Sequence, residues 1–307
     1  FCGILTAAML LGQTGAVWAE ATDTASESPT PTPDPHTEYY AQAADTDSIE
    51  GWPEGPKIEA QSAVLMDLNT EAVLYSKNAN TQLYPASITK LLTCLLGCEN
   101  LDVNAQLTLS QQAAYGIEAG SSTIYGDAGE VFTVKQCLMA LMLESANEMA
   151  LGIGEEVSGS VKKFVELMNA RAQQLGCTNT HFNNPNGLPD ENHYTSVYDL
   201  YLIFQNAVQD QTFLDIISTM SYDVVYTDVN GAGVEKTWEN TNQYLTGKEK
   251  APEGITVVGG KTGTTGAAGY CLVLYSYNAS GQPIVSIVLK ADGCLLYTSD
   301  AADDLIG

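Results

Sequence analysis

Basic residues are scarce in this sequence of 307 residues: twelve lysines and arginines stand against 37 aspartates and glutamates, for a formal charge of −25. A surface that tracks phosphates needs clustered Lys and Arg, so composition excludes a nucleic-acid partner and leaves an acidic solvated surface as the expectation. Histidine is scarcer still. The three, His36, His181 and His193, have no metal-ligand spacing and form no Ser-His-Asp order, so they are read as loop or surface residues. Seven cysteines do not make a framework: Cys2 lies in an N-terminal apolar run, Cys94 and Cys98 sit one helical turn apart in another, and Cys137, Cys177 and Cys271 are scattered through core-like segments. They are expected to be small buried hydrophobes, with no disulfide, no metal and no cofactor.

What is present suits a globular protein, since 45% hydrophobic and 16% charged residues suffice for a sizeable core. Residues 1–21 combine an apolar run, Phe1 to Leu11, with small residues in which Val17 and Ala19 are placed for signal-peptidase cleavage. They read as an incomplete signal peptide lacking its basic start, which predicts export. Residues 22–57 are rich in Thr, Ser, Pro, Glu and Asp, with alternating prolines from Pro29 to Pro33, and read as a disordered acidic linker.

Order is expected from Ile58 to Gly293. Residues 61–67 and 71–76 alternate as a strand hairpin, and Ile88, Leu91, Leu92, Leu95 and Leu96 form the stripe of a helix closing near Gly97. A helical pattern over 133–157 is interrupted at 144–147, and further helices are expected over 161–175 and 196–209, separated by the loop HFNNPNGLPDENHYT. Strands are predicted at 221–227, 235–238, 255–261, 270–277 and 283–290. The order implies an α/β domain: an antiparallel sheet uniting the two ends of the chain, flanked by helices, with an inserted helical subdomain. Residues 294–307 break off where the last strand should lead onward, and the string from Cys294 to Asp303 looks like a translated sequencing adapter, so this tail is read as an artefact.

Three short motifs carry the chemistry: Ser87-Ile88-Thr89-Lys90, Ser145-Ala146-Asn147 and Lys261-Thr262-Gly263. Residues i and i+3 share a helix face, so Lys90 is placed beside Ser87, where an amine of lowered pKa can take the hydroxyl proton. Lys261 is the candidate neighbouring cation. Ser145 supplies a second hydroxyl for proton transfer, and Asn147 a hydrogen-bonding amide for a peptide. Lys261 and Thr262 follow an apolar strand and can hold a substrate carboxylate at its edge, while Gly263 lets backbone approach backbone. Each motif alone also has a plain reading: a helix cap with a solvated lysine, or an interhelical turn. Gly259-Gly260-Lys261-Thr262 is not a phosphate loop, because Ile255 stands where its first glycine belongs and a strand follows.

Together, in this order, the motifs resemble the D-alanyl-D-alanine carboxypeptidases, the low-molecular-mass penicillin-binding proteins of the bacterial envelope. The similarity spans Ile58 to Gly293 and takes in Tyr84-Pro85-Ala86, Gly129-Glu130, HFNNPNGL, Thr195 to Leu200 and KTGTTGAAGYCLV. It implies a β-lactamase/transpeptidase-like fold with the active site between sheet and helical subdomain. It implies that Ser87 attacks the penultimate D-alanine carbonyl of a peptidoglycan stem peptide ending in D-Ala-D-Ala, and that β-lactam antibiotics trap the same serine. Lys90 is then the base, Ser145 and Asn147 complete the cleft, Lys261 and Thr262 hold the terminal carboxylate, and the backbone N–H groups of Ser87 and Thr264 form the oxyanion hole. Action at the outer face of the membrane or in the wall is implied, with a membrane contact only through a C-terminal anchor that this sequence lacks. Glu148 replaces the family's usual Asp and is expected to be structural. The family's final helix is also missing, which predicts an exposed apolar sheet face. Alternatives are another D,D-peptidase or transpeptidase, a class A-like β-lactamase, for which Glu191 is the only acid in a plausible loop, and a non-catalytic wall-binding or sensor domain.

Overall fold

The computed structural model describes residues 38–292. The expected signal peptide, the first part of the acidic linker, His36 and the tail at 294–307 lie outside these residues.

In chain order the elements are β1 (Ser62–Asp67), β2 (Val73–Lys77), a 3-10 turn (Ala86–Thr89), α1 (Lys90–Asn100), β3 (Gln106–Thr108), α2 (Gln111–Tyr115), β4 (Val131–Thr133), α3 (Val134–Leu143) and α4 (Asn147–Ser158). There follow α5 (Val161–Gln174), α6 (Val197–Ala207), α7 (Gln211–Ile217), β5 (Ser221–Thr227), β6 (Gly233–Glu239), α8 (Gln243–Thr246), β7 (Thr256–Thr265), β8 (Gly269–Tyr277) and β9 (Pro283–Ala291). The first hairpin turns on Asp67, whose carboxylate accepts the N–H groups of Asn69 and Thr70 at 2.8 and 3.0 Å. β9 then inserts beside β1, giving the five-stranded order β2-β1-β9-β8-β7, all antiparallel. The expected union of chain ends in one sheet is therefore how the domain closes.

Alternation along these strands sorts two cores. One face presents Val64, Met66, Val273, Tyr275, Ile287 and Leu289 to the helical layer, where they join the buried stripe of α1 and of α6. The opposite face carries Ala63, Leu272, Leu274 and Val288, packed with Ala44, Ile58 and Ala60 from ahead of β1 and with Tyr244. This face was expected to be exposed. Instead Leu272, Leu274 and Val288 are buried.

Three further expectations are corrected. The acidic segment is not structureless over 38–57: a 3-10 turn forms at Asp45–Ser48, the buried Lys77 ammonium donates to the carbonyls of Tyr39 and Ile58 at 2.6 and 2.9 Å, and the Trp52 indole N–H donates to Leu74 at 3.1 Å. Backbone carbonyls around a buried cation order a stretch whose composition alone argues against it. Second, β5 and β6 do not belong to the main sheet but to a four-stranded one, β3-β4-β5-β6, in the inserted subdomain. β3 and β4 have three residues each, too few to show a period of two. Third, the serine-bearing helix begins as a 3-10 turn and runs to Asn100 rather than to Gly97.

The interrupted helix is as expected. α3 starts with a Thr133–Gln136 capping box, α4 ends at Gly159 in the left-handed region, and the break between them carries Ser145.

Candidate active site

The turn Ala86–Thr89, the break between α3 and α4, and the edge strand β7 bring the three motifs to one cleft. Ala86 has φ of 47°, a left-handed conformation that a residue with a Cβ adopts at a cost, and the next residue is Ser87. Gly187, itself at φ of 90°, packs on the Ala86 carbonyl so closely that a Cβ there would overlap it. From β7, Gly263 fits the same spot from another side: its missing Cβ would stand 3.0 Å from the Ser87 amide nitrogen. The serine backbone is thus fixed between two glycines.

Lys90, fully buried at the start of α1, places its amine 3.0 Å from the Ser87 hydroxyl and donates to the Asn186 carbonyl at 2.6 Å. Burial drives its pKa well below that of an ordinary lysine, the Lys261 charge adds to this, and Glu148 opposes it. Lys261 is also buried, donates to the Thr262 carbonyl at 2.8 Å, and is lowered by burial to about 7. Burial thus biases both amines toward their neutral forms, and Lys90 lies against the serine in the condition an amine needs to accept its proton.

Ser145 has φ of 59° and a buried hydroxyl oxygen with no hydrogen-bond partner; the Asn147 amide oxygen is likewise buried and unpartnered. Such groups cost free energy unless something satisfies them, and here both belong to one short break at the cleft. The cleft has a volume of about 380 Å³ and is lined by Ser87, Asn147, Asn186, Gly187, Thr264 and the segment 118–122, among others. Lys90, Ser145 and Lys261 are not part of the lining. Thr262 pairs its hydroxyl with that of Thr241 at 2.7 Å. Of the eight residues singled out in the sequence, Ser87, Ser145, Lys261, Thr262, Gly263 and Thr264 come from these three segments, and Lys90 and Asn147 open the helices α1 and α4 that directly follow the first two.

Several contributors escaped the sequence reading. Asn186 and Gly187 lie in the HFNNPNGL loop but act through a carbonyl and a missing Cβ, which no motif displays. Glu148, expected from the sequence to be structural, is fully buried, and its Oε1 accepts from the Thr123 hydroxyl and the N–H groups of Ile124 and Gly126 at 2.6, 2.8 and 3.3 Å, anchoring the segment that follows the cleft-lining residues 118–122. His193 was read as a loop or surface histidine. It is in a loop but wholly buried, bonded to Thr89 next to Lys90.

The profile of the family described as D-alanyl-D-alanine carboxypeptidase matches residues 50–293. The chain is 38% identical over 221 residues to D-alanyl-D-alanine carboxypeptidase DacF of Bacillus subtilis, covering 70% of this chain and 53% of that protein. It is 31% identical to DacA of Haemophilus influenzae, covering 58% of that protein. The chain thus spans little more than half the length of these relatives. With the D-alanyl-D-alanine carboxypeptidase of Streptomyces sp. K15 it shares 30% identity over 80% of this chain and 86% of the other. The crystal structure of the Streptomyces K15 DD-transpeptidase superposes with a TM-score of 0.75 at 28% identity, covering 82% of this chain and 97% of that one.

Proposed function

This chain belongs to the D-alanyl-D-alanine carboxypeptidase family, and from that premise we propose that it removes the terminal D-alanine from peptidoglycan stem peptides through an acyl-enzyme on Ser87. The observation that carries the reading is the 3.0 Å contact between the Ser87 hydroxyl and the buried Lys90 amine, beside a cleft of about 380 Å³ that Ser87 lines.

Ser87 Oγ attacks the carbonyl carbon of the penultimate D-alanine as its proton passes to Lys90 Nζ. The negative charge that develops on the carbonyl oxygen is met by the backbone N–H groups of Ser87 and Thr264. The C–N bond then breaks, and the proton returns to the leaving amine by way of the Ser145 hydroxyl, so free D-alanine departs. Water cleaves the resulting ester. Asn147 hydrogen-bonds the peptide groups, and Lys261 with Thr262 receives the terminal carboxylate at the edge of β7, Gly263 admitting the peptide backbone. β-Lactams present a strained amide to the same serine and leave a slowly hydrolysed ester.

Residues 58–293 form the catalytic unit in this reading, and the apolar N-terminus directs it across the membrane to the wall. No described helix is long and apolar enough to cross a membrane.

A second fate of the acyl-enzyme is supported by the name of the Streptomyces relative, a DD-transpeptidase: capture by an amine instead of water. One experiment separates the outcomes. The full chain is given a peptide ending in D-Ala-D-Ala and, separately, a fluorescent penicillin. D-Alanine release with a hydrolysed peptide and slow, stable labelling, both abolished in Ser87→Ala, supports the carboxypeptidase. A peptide joined to an added amine supports the transpeptidase. Rapid penicillin turnover without D-alanine release points to a β-lactamase, and neither signal to a binding domain.

A further inference from the structure

His193 is an unusual residue to find with no exposed surface at all, one residue pair away from the candidate base. Its ring stacks edge-on to Phe182 with centroids 5.5 Å apart. Both nitrogens are engaged. Nδ1 faces the backbone N–H of Asn183 at 3.0 Å, and because an amide N–H can only donate, Nδ1 must carry a lone pair. The ring proton therefore sits on Nε2 and is donated to the Thr89 hydroxyl at 2.8 Å. The tautomer is fixed by its partners.

What these two bonds join is specific. Thr89 precedes Lys90 and closes the turn that carries Ser87. Asn183 opens the loop whose Asn186 carbonyl accepts from Lys90 at 2.6 Å and whose Pro185 carbonyl accepts from the Thr93 hydroxyl at 2.7 Å. The loop is internally stiff: Asn184 accepts from the Gly187 N–H at 2.7 Å and donates to the Leu188 carbonyl at 2.9 Å.

We propose that His193 is a positioning residue of the acylation step: as a neutral ring protonated on Nε2, it pins the 183–188 loop to the serine-bearing turn and so holds the Asn186 carbonyl against the Lys90 amine. This rests on the reading of Lys90 as the base. A neutral amine has two N–H bonds and one lone pair. Committing one N–H to Asn186 restricts rotation about Cε–Nζ and leaves the lone pair able to point at the Ser87 hydroxyl proton, which is the geometry proton transfer requires. Without the anchor the amine is free to present an N–H there instead.

The charges facing the ring are Asp190, His181 and Lys90; burial, opposed by Asp190 and aided by His181 and Lys90, lowers its pKa to about 4, so the neutral form persists across the neutral range.

Four variants of the full chain test the assignment. His193→Asn keeps an acceptor where Nδ1 stands, His193→Gln keeps a donor where Nε2 stands, His193→Phe keeps neither, and Thr89→Val removes the hydroxyl at constant volume. Acylation by a fluorescent penicillin is timed per competent site, and kcat and KM are measured on the D-Ala-D-Ala peptide beside a thermal unfolding curve. A positioning role lowers the acylation rate and kcat of folded protein by about tenfold or more in His193→Asn and Thr89→Val, with KM within about twofold. His193→Phe should lose more, and if it does not fold, His193→Asn and Thr89→Val decide. Wild-type rates per folded molecule in those two, or a change in KM alone, overturn the assignment. A wild-type chain that neither labels nor releases D-alanine overturns instead the function on which it rests.

Discussion

Gly187 lies over the Ala86 carbonyl with no room for a side chain, and both residues hold left-handed backbone angles, Ala86 immediately before Ser87. Neither residue bears a reactive group. Their contact nevertheless determines where the serine backbone, and the N–H that would meet an oxyanion, can sit. Gly187→Ala therefore meets two penalties, a disfavoured φ of about 1 kcal/mol or more and an overlap that only a shift of the serine turn can relieve. Acylation by penicillin is expected to fall by about a hundredfold, since misplacement of reacting atoms by an ångström has that effect. Stopped-flow labelling of folded Gly187→Ala at a wild-type rate would show that the turn is not held by this contact.

Lys261 illustrates stability given up at a site. Its pKa in the folded protein, about 7, lies below the ordinary lysine value of 10.5, so folding is opposed by proton binding throughout the range below 10.5 and most fully below about 7. Lys261→Met fills the same space without a charge to desolvate. It should raise the melting temperature at neutral pH while abolishing peptide hydrolysis, and the gain over wild type should shrink as pH rises from 7 toward 10. Calorimetry at pH 7 and pH 9 checks this, and a variant melting below wild type at both values would refute it.

Much of the fold was legible because its signals are local. The β1–β2 and β8–β9 pairs join neighbours in sequence, and the Ser87–Lys90 contact is one helical turn. Ser145 was readable as a break because the apolar stripes of α3 and α4 stop and restart around it. What stayed hidden depends on partners far away. β3 and β4 have three residues each and are defined by pairing, with β4 meeting β5 only at Val131 and Thr227. The Lys90–Asn186 and Thr89–His193 bonds span 96 and 104 residues, and the first is to a carbonyl that any residue possesses. The backbone carries no residue-type signature, so a motif reading finds the lysine and misses what orients it.

Glu148 links the cleft wall to the charge at Lys90. One carboxylate oxygen holds Thr123, Ile124 and Gly126, the other is buried without a partner, and the charge raises the pKa that burial and Lys261 depress. Glu148→Gln removes the charge and retains an acceptor for the wall. Lys90 should then lose its proton at lower pH, so the acid limb of the acylation rate moves to lower pH. The plateau should fall as well, because a more depressed lysine is a weaker base. A profile measured from pH 5 to 9 that loses height without moving its limb would assign Glu148 to the wall alone.

His193 gives the pH dependence a second handle, in stability rather than rate. Burial holds its pKa at about 4 in the folded chain, against 6.5 for an ordinary histidine. Above 6.5 the ring is neutral in both states and contributes its two hydrogen bonds in full. As pH falls from 6.5 toward 4 the unfolded chain takes up a proton that the folded one refuses, so stability drains away, reaching a loss of about 3 kcal/mol at the acid end. His193→Asn cannot titrate and lacks the bond to Thr89. It should be less stable than wild type at pH 7.5 by about 1 to 3 kcal/mol, the cost of a buried group left unpaired. The gap should narrow steadily below pH 6.5, because only wild type pays the proton penalty. Urea unfolding of both proteins at half-unit steps from pH 7.5 to 4.5 measures the difference directly, and effects of other titrating groups cancel in the comparison. A gap that stays constant across that range would mean the imidazole is protonated as easily inside the fold as outside it, which its bond from the Asn183 N–H does not allow.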